Sequence, residues 1–181
     1  MSIRTLLSCF LAFSLLLLAG GAGAMNLPDP GTRLPPFAIP MPPLQSDQAY
    51  LGVGGDSFGL GDVKAELIML EFSGVYCPIC HKQAPNVRSL FKRIDRAKLG
   101  SRVKIFSVAG GATQMEVDSV REQYDAPYPI IRDPDYAVHK VLGEPKTPYT
   151  MLLKPDGTVL WTHLGSIQDF DEFYKIIQSF L

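Results

Sequence analysis

A chain of 181 residues, 46% hydrophobic and 19% charged, is sized for one ordinary domain with a proper core. Its 17 basic and 18 acidic residues leave a net charge of −1, so the concentrated positive charge that nucleic acid demands is lacking. The longest basic cluster, Lys92, Arg93, Arg96 and Lys98, contains Asp95 and reads as a solvated helix face.

The chain opens with Arg4, an apolar run from Leu6 to Leu18 broken only by Ser8, Cys9 and Ser14, and then Ala22-Gly23-Ala24. A positive start, a short apolar run and a small-residue cleavage site have the layout of a secretory signal peptide. The run is shorter than the roughly 20 residues of a spanning helix, so cleavage is expected and an uncleaved membrane anchor is the alternative. Cys9 precedes the Leu-rich run instead of following it, which excludes lipid attachment there. The expected organisation is a signal peptide over 1–24, a Pro-rich arm over 25–47 and one domain over 48–181, exported to the periplasm.

Seven prolines between Met25 and Pro43 forbid a helix or a central strand and predict an extended arm, either a tether or packed on the domain. Ala49–Val53 and Ser57–Leu60 read as short strands around Gly54-Gly55. The near-continuous apolar run Leu67–Phe72 suits a central strand covered on both faces. Cys77–Leu99 has apolar residues Val87, Leu90, Phe91 and Ile94 at helical spacing, with Gly100 as its stop. A strand Val103–Ala109, a helix Glu116–Tyr124, a strand Tyr128–Arg132 and a short helix Tyr136–Leu142 follow. Tyr149–Leu153 and Thr158–His163 form a hairpin across Lys154-Pro155-Asp156-Gly157, and Ile167–Leu181 is an amphipathic helix. This alternation predicts an α/β fold, a central mixed β-sheet with helices on both faces, with its site at the C-terminal ends of the parallel strands. Cys77 lies just past such an end.

Once the leader is removed, Cys77 and Cys80 are the only cysteines. A bond between them closes a tiny loop that constrains little of the unfolded chain, so the pair points to chemistry. At a helix start, unpaired N–H groups and the positive end of the helix dipole favour thiolate over thiol. Cys77 should then titrate below the free value of about 8.5 and act as nucleophile, with Cys80 one turn deeper as resolving thiol. Their disulfide, Cys77–Cys80, is the expected oxidised state. Structural zinc needs four ligands, and His81, His139 and His163 show no metal spacing. No metal or cofactor is expected, yet Cys77-Pro78-Ile79-Cys80-His81 also matches a haem-attachment motif, and the same thiols plus a His could carry copper.

The segment Leu70-Glu71-Phe72-Ser73-Gly74-Val75-Tyr76-Cys77-Pro78-Ile79-Cys80 resembles the strand–loop–CxxC segment of the thioredoxin superfamily, in particular its exported TlpA/ResA-like branch. Pro85 matches the proline that kinks the active-site helix. Lys146-Thr147-Pro148-Tyr149 resembles the loop whose cis-proline faces the cysteines. Extra length around Thr113–Asp133 matches the helix and strand added in that branch. The resemblance, from about Gln48 to the C-terminus, implies a thioredoxin fold with a TlpA-like insert, a cis bond at Thr147–Pro148, and Thr147, Pro148 and Tyr76 facing the substrate. Tyr76 stands where Trp is usual, and Pro78-Ile79 is an uncommon dipeptide, so both tune the redox potential. Gly74 occupies the place where peroxidases of the superfamily carry Thr.

Glu71, six residues before Cys77, stands where thioredoxin has a buried Asp. A carboxyl inside an apolar strand is costly to bury charged, which raises its pKa and fits it to accept the proton of Cys80. The plainer alternative is a Glu at the strand's edge paired with Lys64 or Lys104. The resemblance implies a reductase of exported disulfide-containing proteins, such as apocytochromes, re-reduced by a membrane or exported thiol electron donor. A disulfide-forming oxidase, or a module binding metal or haem, is the alternative.

Overall fold

A computed structural model describes residues 27–181. The leader and Cys9 lie outside the described residues. Its elements in chain order are β1 (Ile39–Pro40), α1 (Gln45–Leu51), β2 (Ser57–Phe58), β3 (Leu67–Ser73), α2 (Pro78–Arg96), β4 (Val103–Gly110) and α3 (Gln114–Tyr124). There follow β5 (Ile130–Asp133), α4 (Ala137–Val141), β6 (Tyr149–Leu153), β7 (Val159–Leu164) and α5 (Phe170–Ser179). Five strands form the main sheet in the order β5-β4-β3-β6-β7; β3, β4 and β5 run parallel, β6 runs antiparallel to β3, and β7 antiparallel to β6. This is the mixed sheet of a thioredoxin fold, as the alternation of apolar runs implied.

All seven residues of β3 are buried, because the strand is central and covered on both faces. Leu67 and Met69 join Val87, Leu90 and Ile94 of α2 and Phe173 and Ile177 of α5 on one face. Ile68, Leu70 and Phe72 face the other side, with Val138 of α4 and Leu34 and Ile39 of the N-terminal arm. Burying each such aliphatic or aromatic side chain contributes ~1.5–3 kcal/mol, so five in one strand outweigh the single carboxyl it also buries.

The Pro-rich segment is packed, not a free tether. Gly31 N donates to Val159 O and Val159 N to Thr32 O, both at 2.8 Å, so the arm runs along the start of β7 and covers a sheet edge. Ile39 is fully buried. The arm is thus part of the domain's core, and the boundary expected at residue 47 falls inside α1.

Four local expectations are corrected. Ala49–Val53 is not a strand: Gln45–Leu51 is helical because Asp47 and Leu51, four apart, are both buried, and Gly52 (φ 73°) ends the turn. The strand at Ser57 stops at Phe58, where Gly59 N donates to the Asp62 carboxylate at 2.8 Å and turns the chain into a 3-10 helix. The fifth strand begins at Ile130, not Tyr128, since the segment before it contains Pro129. The last helix begins at Phe170, where the Asp169 side chain accepts from the Asp171 and Glu172 N–H groups. Among the described residues no helix is long and apolar enough to cross a membrane.

Candidate active site

β3 delivers the chain through Ser73–Tyr76 to α2, and Cys77 is the residue that caps that helix (φ −86°, ψ 110°). Pro78 takes the first helical position, where its missing N–H leaves no bond unmade. Cys80 N donates to Cys77 Sγ at 3.2 Å, the helix-end contact that favours a thiolate there. The two cysteines are joined as a disulfide with Cα atoms 5.2 Å apart. Cys80 is 2% exposed, whereas Cys77 is half-buried and Pro78 and Ile79 face solvent. A partner therefore meets Cys77 first, and Cys80 is reachable only from inside.

The Thr147–Pro148 bond is cis, and Thr147 O lies 3.6 Å from Cys77 Sγ. This loop, between α4 and β6, is 70 residues from Cys77, and β6 pairs with β3 to bring it there. At Gly74, a Cβ would sit 3.5 Å from both Cys77 Cβ and Thr147 Oγ1, so the loop passes close to both. Beside it lies a cavity of about 410 Å³, walled in part by Phe72, Tyr136, His139 and Thr147.

Tyr76 is 80% exposed and donates its hydroxyl hydrogen to Glu116 Oε1. That bond, with those from Thr113, holds the Glu116 carboxyl down at about 2. Ile79, two residues after Cys77, and Met115, beside Glu116 in sequence, are likewise exposed apolar side chains. Pro85 sits on the outer side of α2 without breaking it.

Glu71 is 5% exposed and lies on the α2 side of the sheet. Gln83 Nε2 donates to its Oε1 at 2.8 Å, while Gln83 Oε1 accepts from Ile167 N at 2.7 Å. The Gln83 amide, one turn beyond Cys80, thereby ties strand, helix and the segment before α5 together. Burial pushes the Glu71 carboxyl up to about 7, partly opposed by the Gln83 bond. Lys104 donates instead to Gly100 O at 2.6 Å and lies over the Tyr50 ring, so the edge pairing that was the alternative is not formed there.

Sequence reasoning passed over Gln83, Glu116 and Thr150. Gln83 carried a usable signal: it lies one helical turn after Cys80, on the face that must pack against β3. Thr150 did too, since alternation in β6 puts it on the Glu71 face. Glu116 gave none, because its link to Tyr76 spans 40 residues.

The model of the AhpC/TSA family matches residues 30–162. The chain belongs to that family. It is 25% identical over 126 residues to the thiol-disulfide oxidoreductase ResA of Halalkalibacterium halodurans, covering 68% of this chain and 69% of that one. With ResA of Bacillus subtilis it shares 25% over 115 residues, 64% of this chain and 62% of the relative. Among solved structures, a protein described as the thiol:disulfide interchange protein DsbE from Chlorobium tepidum superposes with a TM-score of 0.65 at 20% identity. It covers 84% of this chain and 97% of that one. A protein described as a thioredoxin from Neisseria meningitidis gives 0.63 at 22%, covering 84% and 91%. These likenesses show the thioredoxin fold. In that fold and family, paired cysteines at a helix start belong to a thiol–disulfide oxidoreductase, which this enzyme is.

Proposed function

We propose that this thiol–disulfide oxidoreductase works outside the cytoplasm as a reductase of exported disulfide-containing proteins, with apocytochromes as one substrate class. The reading of the leader as a signal peptide supports export. The carrying observation is the asymmetry of the pair: a half-buried Cys77 at the helix cap and a buried Cys80 above the Glu71–Gln83 layer.

Cys77 thiolate attacks one sulfur of the substrate disulfide, and the other leaves as thiolate, giving a mixed disulfide. Cys80 loses its proton to Glu71 and attacks Cys77 Sγ. The Cys77–Cys80 bond forms as the bond to substrate breaks, and the substrate departs with both sulfurs reduced. Thr147, with Tyr76 and Pro148, presents the surface on which an extended substrate lies beside Cys77. A membrane or exported thiol donor then returns two electrons to the pair.

The direction of flow rests on how weakly the Cys77 thiolate is held. In the disulfide, Cys77 Sγ accepts from Cys80 N–H, the neighbouring Pro78 has no N–H to give, and a carboxyl lies beneath the same helix. A weakly stabilised thiolate makes the disulfide a poor oxidant and the dithiol a good reductant. Gly74, where peroxidases of the superfamily carry Thr, speaks against peroxide chemistry. Among the described residues no group of three or more His, Cys, Asp or Glu side chains is placed to hold a metal ion.

The test is Cys80→Ser. Incubated with periplasmic extract or a disulfide-bonded protein, it accumulates a mixed disulfide at Cys77 that dithiothreitol releases. Cys77→Ser accumulates none. Adducts on Cys80 in the Cys77→Ser protein, and none on Cys77, would reverse the assignment of nucleophile.

A further inference from the structure

We propose that the cavity between α4 and the Thr147 loop receives an aromatic side chain of the substrate, from a residue next to the cysteine that Cys77 attacks. This rests on the reading of Cys77 as the nucleophile toward protein disulfides, and it adds a sequence preference to that reaction.

The walls are held by contacts that need no substrate. Asp133, at the end of β5, is buried, and its carboxylate accepts from Ala137 N at 2.8 Å and His139 N at 3.0 Å, which fixes the first turn of α4. That turn carries Tyr136 and His139. The His139 ring stacks on Phe72 of β3, with centroids 4.8 Å apart and planes at 19°, and Tyr136 leans against His139 at 5.5 Å and 58°. His139 Nε2 donates to Pro145 O at 3.0 Å, so the same ring also holds the loop that leads to Thr147. The three rings and that loop border the 410 Å³ cavity.

Two features mark it as a built site. At the end of β4, a Cβ on Gly110 would run into the Phe72 ring, and one on Gly111 into the Tyr136 hydroxyl, so the two glycines let the rings lie where they do. Tyr136 itself sits at φ 56°, an outlier for so bulky a residue, yet its ring stays 47% exposed. Burial of the ring therefore does not account for the strained backbone, and strain of this kind gathers where a ligand is held.

The cavity is continuous with the active site. Gly74 and Thr147 line it and also border the sulfur: a Cβ at Gly74 would stand 3.5 Å from Cys77 Cβ and from Thr147 Oγ1, and Thr147 O is 3.6 Å from Cys77 Sγ. Neighbouring residues of a chain lie about 3.8 Å apart, so a substrate strand along Thr147 brings the side chain beside its cysteine to the cavity. The walls offer ring faces and edges, and Lys146, the charged residue of the lining, is exposed. Such walls stack on a flat ring and give less to an aliphatic or charged side chain.

Short peptides with one cysteine, held as a mixed disulfide with thionitrobenzoate, test this against the reduced protein in stopped flow. Cys77 thiolate attacks the peptide sulfur, and the coloured thionitrobenzoate, the better leaving group, departs with the bonding pair. Trp, Ala or Asp is placed before the cysteine in one set of peptides and after it in another, and each rate is divided by that of the same peptide with glutathione. In at least one set the Trp peptide should react about tenfold faster than the Ala peptide at low concentration. Tyr136→Asn, which tolerates the positive φ and lacks the ring, should bring that ratio to within about twofold of one. A ratio taken within one protein does not depend on how much of the variant folds. Trp and Ala peptides within about twofold of each other in both sets overturn the proposal. So does a ratio that survives Tyr136→Asn and collapses in Tyr76→Ala, since the ring then stacks on Tyr76, and so does an Asp peptide that outruns Trp through Lys146. Release that is just as fast from Cys77→Ser removes the nucleophile reading itself, and the pocket with it; equal rates for all peptides in the unsubstituted protein remove the pocket alone.

Discussion

Replacing Glu71 by Gln preserves the side chain's size and its bond from Gln83 while removing the charge. In the folded protein, burial raises this carboxyl from 4.5 to about 7. The unfolded chain therefore ionises Glu71 over a range in which the folded protein still holds its proton. The stability this gives is complete below about pH 4.5, is lost as pH climbs toward 7, and levels off above that. At 1.36 kcal/mol for each tenfold change in proton affinity, the interval corresponds to ~3 kcal/mol. Urea unfolding of the oxidised protein and of Glu71→Gln, each near pH 4.5 and near pH 8, measures it. The stability difference between the two should shift in favour of Glu71→Gln by ~3 kcal/mol from the lower pH to the higher. Taking a difference of differences cancels any fixed packing penalty of the amide. A gap that stays constant within ~0.5 kcal/mol would mean that Glu71 ionises normally in the fold, and its role as proton acceptor would lose its basis.

Two further outcomes follow from the same reasoning. Asp47 is 4% exposed and forms a two-oxygen ion pair with Arg121, joining α1 to α3, so Asp47→Ala strands a part-buried guanidinium and should cost ~2–3 kcal/mol in urea unfolding, with no change in the disulfide's potential. Tyr76→Phe removes the hydrogen bond that does most to hold the Glu116 carboxyl low, so a carbon-detected NMR titration should find that carboxyl moved up from about 2 toward its ordinary range.

Much of the fold was legible because its strands are extreme. Leu67–Phe72 is apolar almost throughout, and only a central strand covered on both faces accommodates that. The cysteine pair was legible because it is local: four residues define both the helix cap and the two sulfurs. Glu71 stood out as a carboxyl inside that same apolar run. What escaped was long-range. The arm gave no sign of its bonds to β7, since proline-rich sequence specifies extended backbone but not what it lies against. Ala49–Val53 misled because Asp47 counts as outward-facing until Arg121, 74 residues on, is seen to bury it. Gln83 and Thr150 look ordinary in sequence, and only the register of β6 on β3 and the turn of α2 over both place them around Glu71.

The reduction potential of the Cys77–Cys80 couple tests the central claim most directly, by equilibration with dithiothreitol and glutathione buffers followed by thiol trapping. A reductase with a weakly held Cys77 thiolate should lie near or below thioredoxin's value of roughly −270 mV. A value near roughly −120 mV would make the protein an oxidant and reverse the direction of flow proposed here.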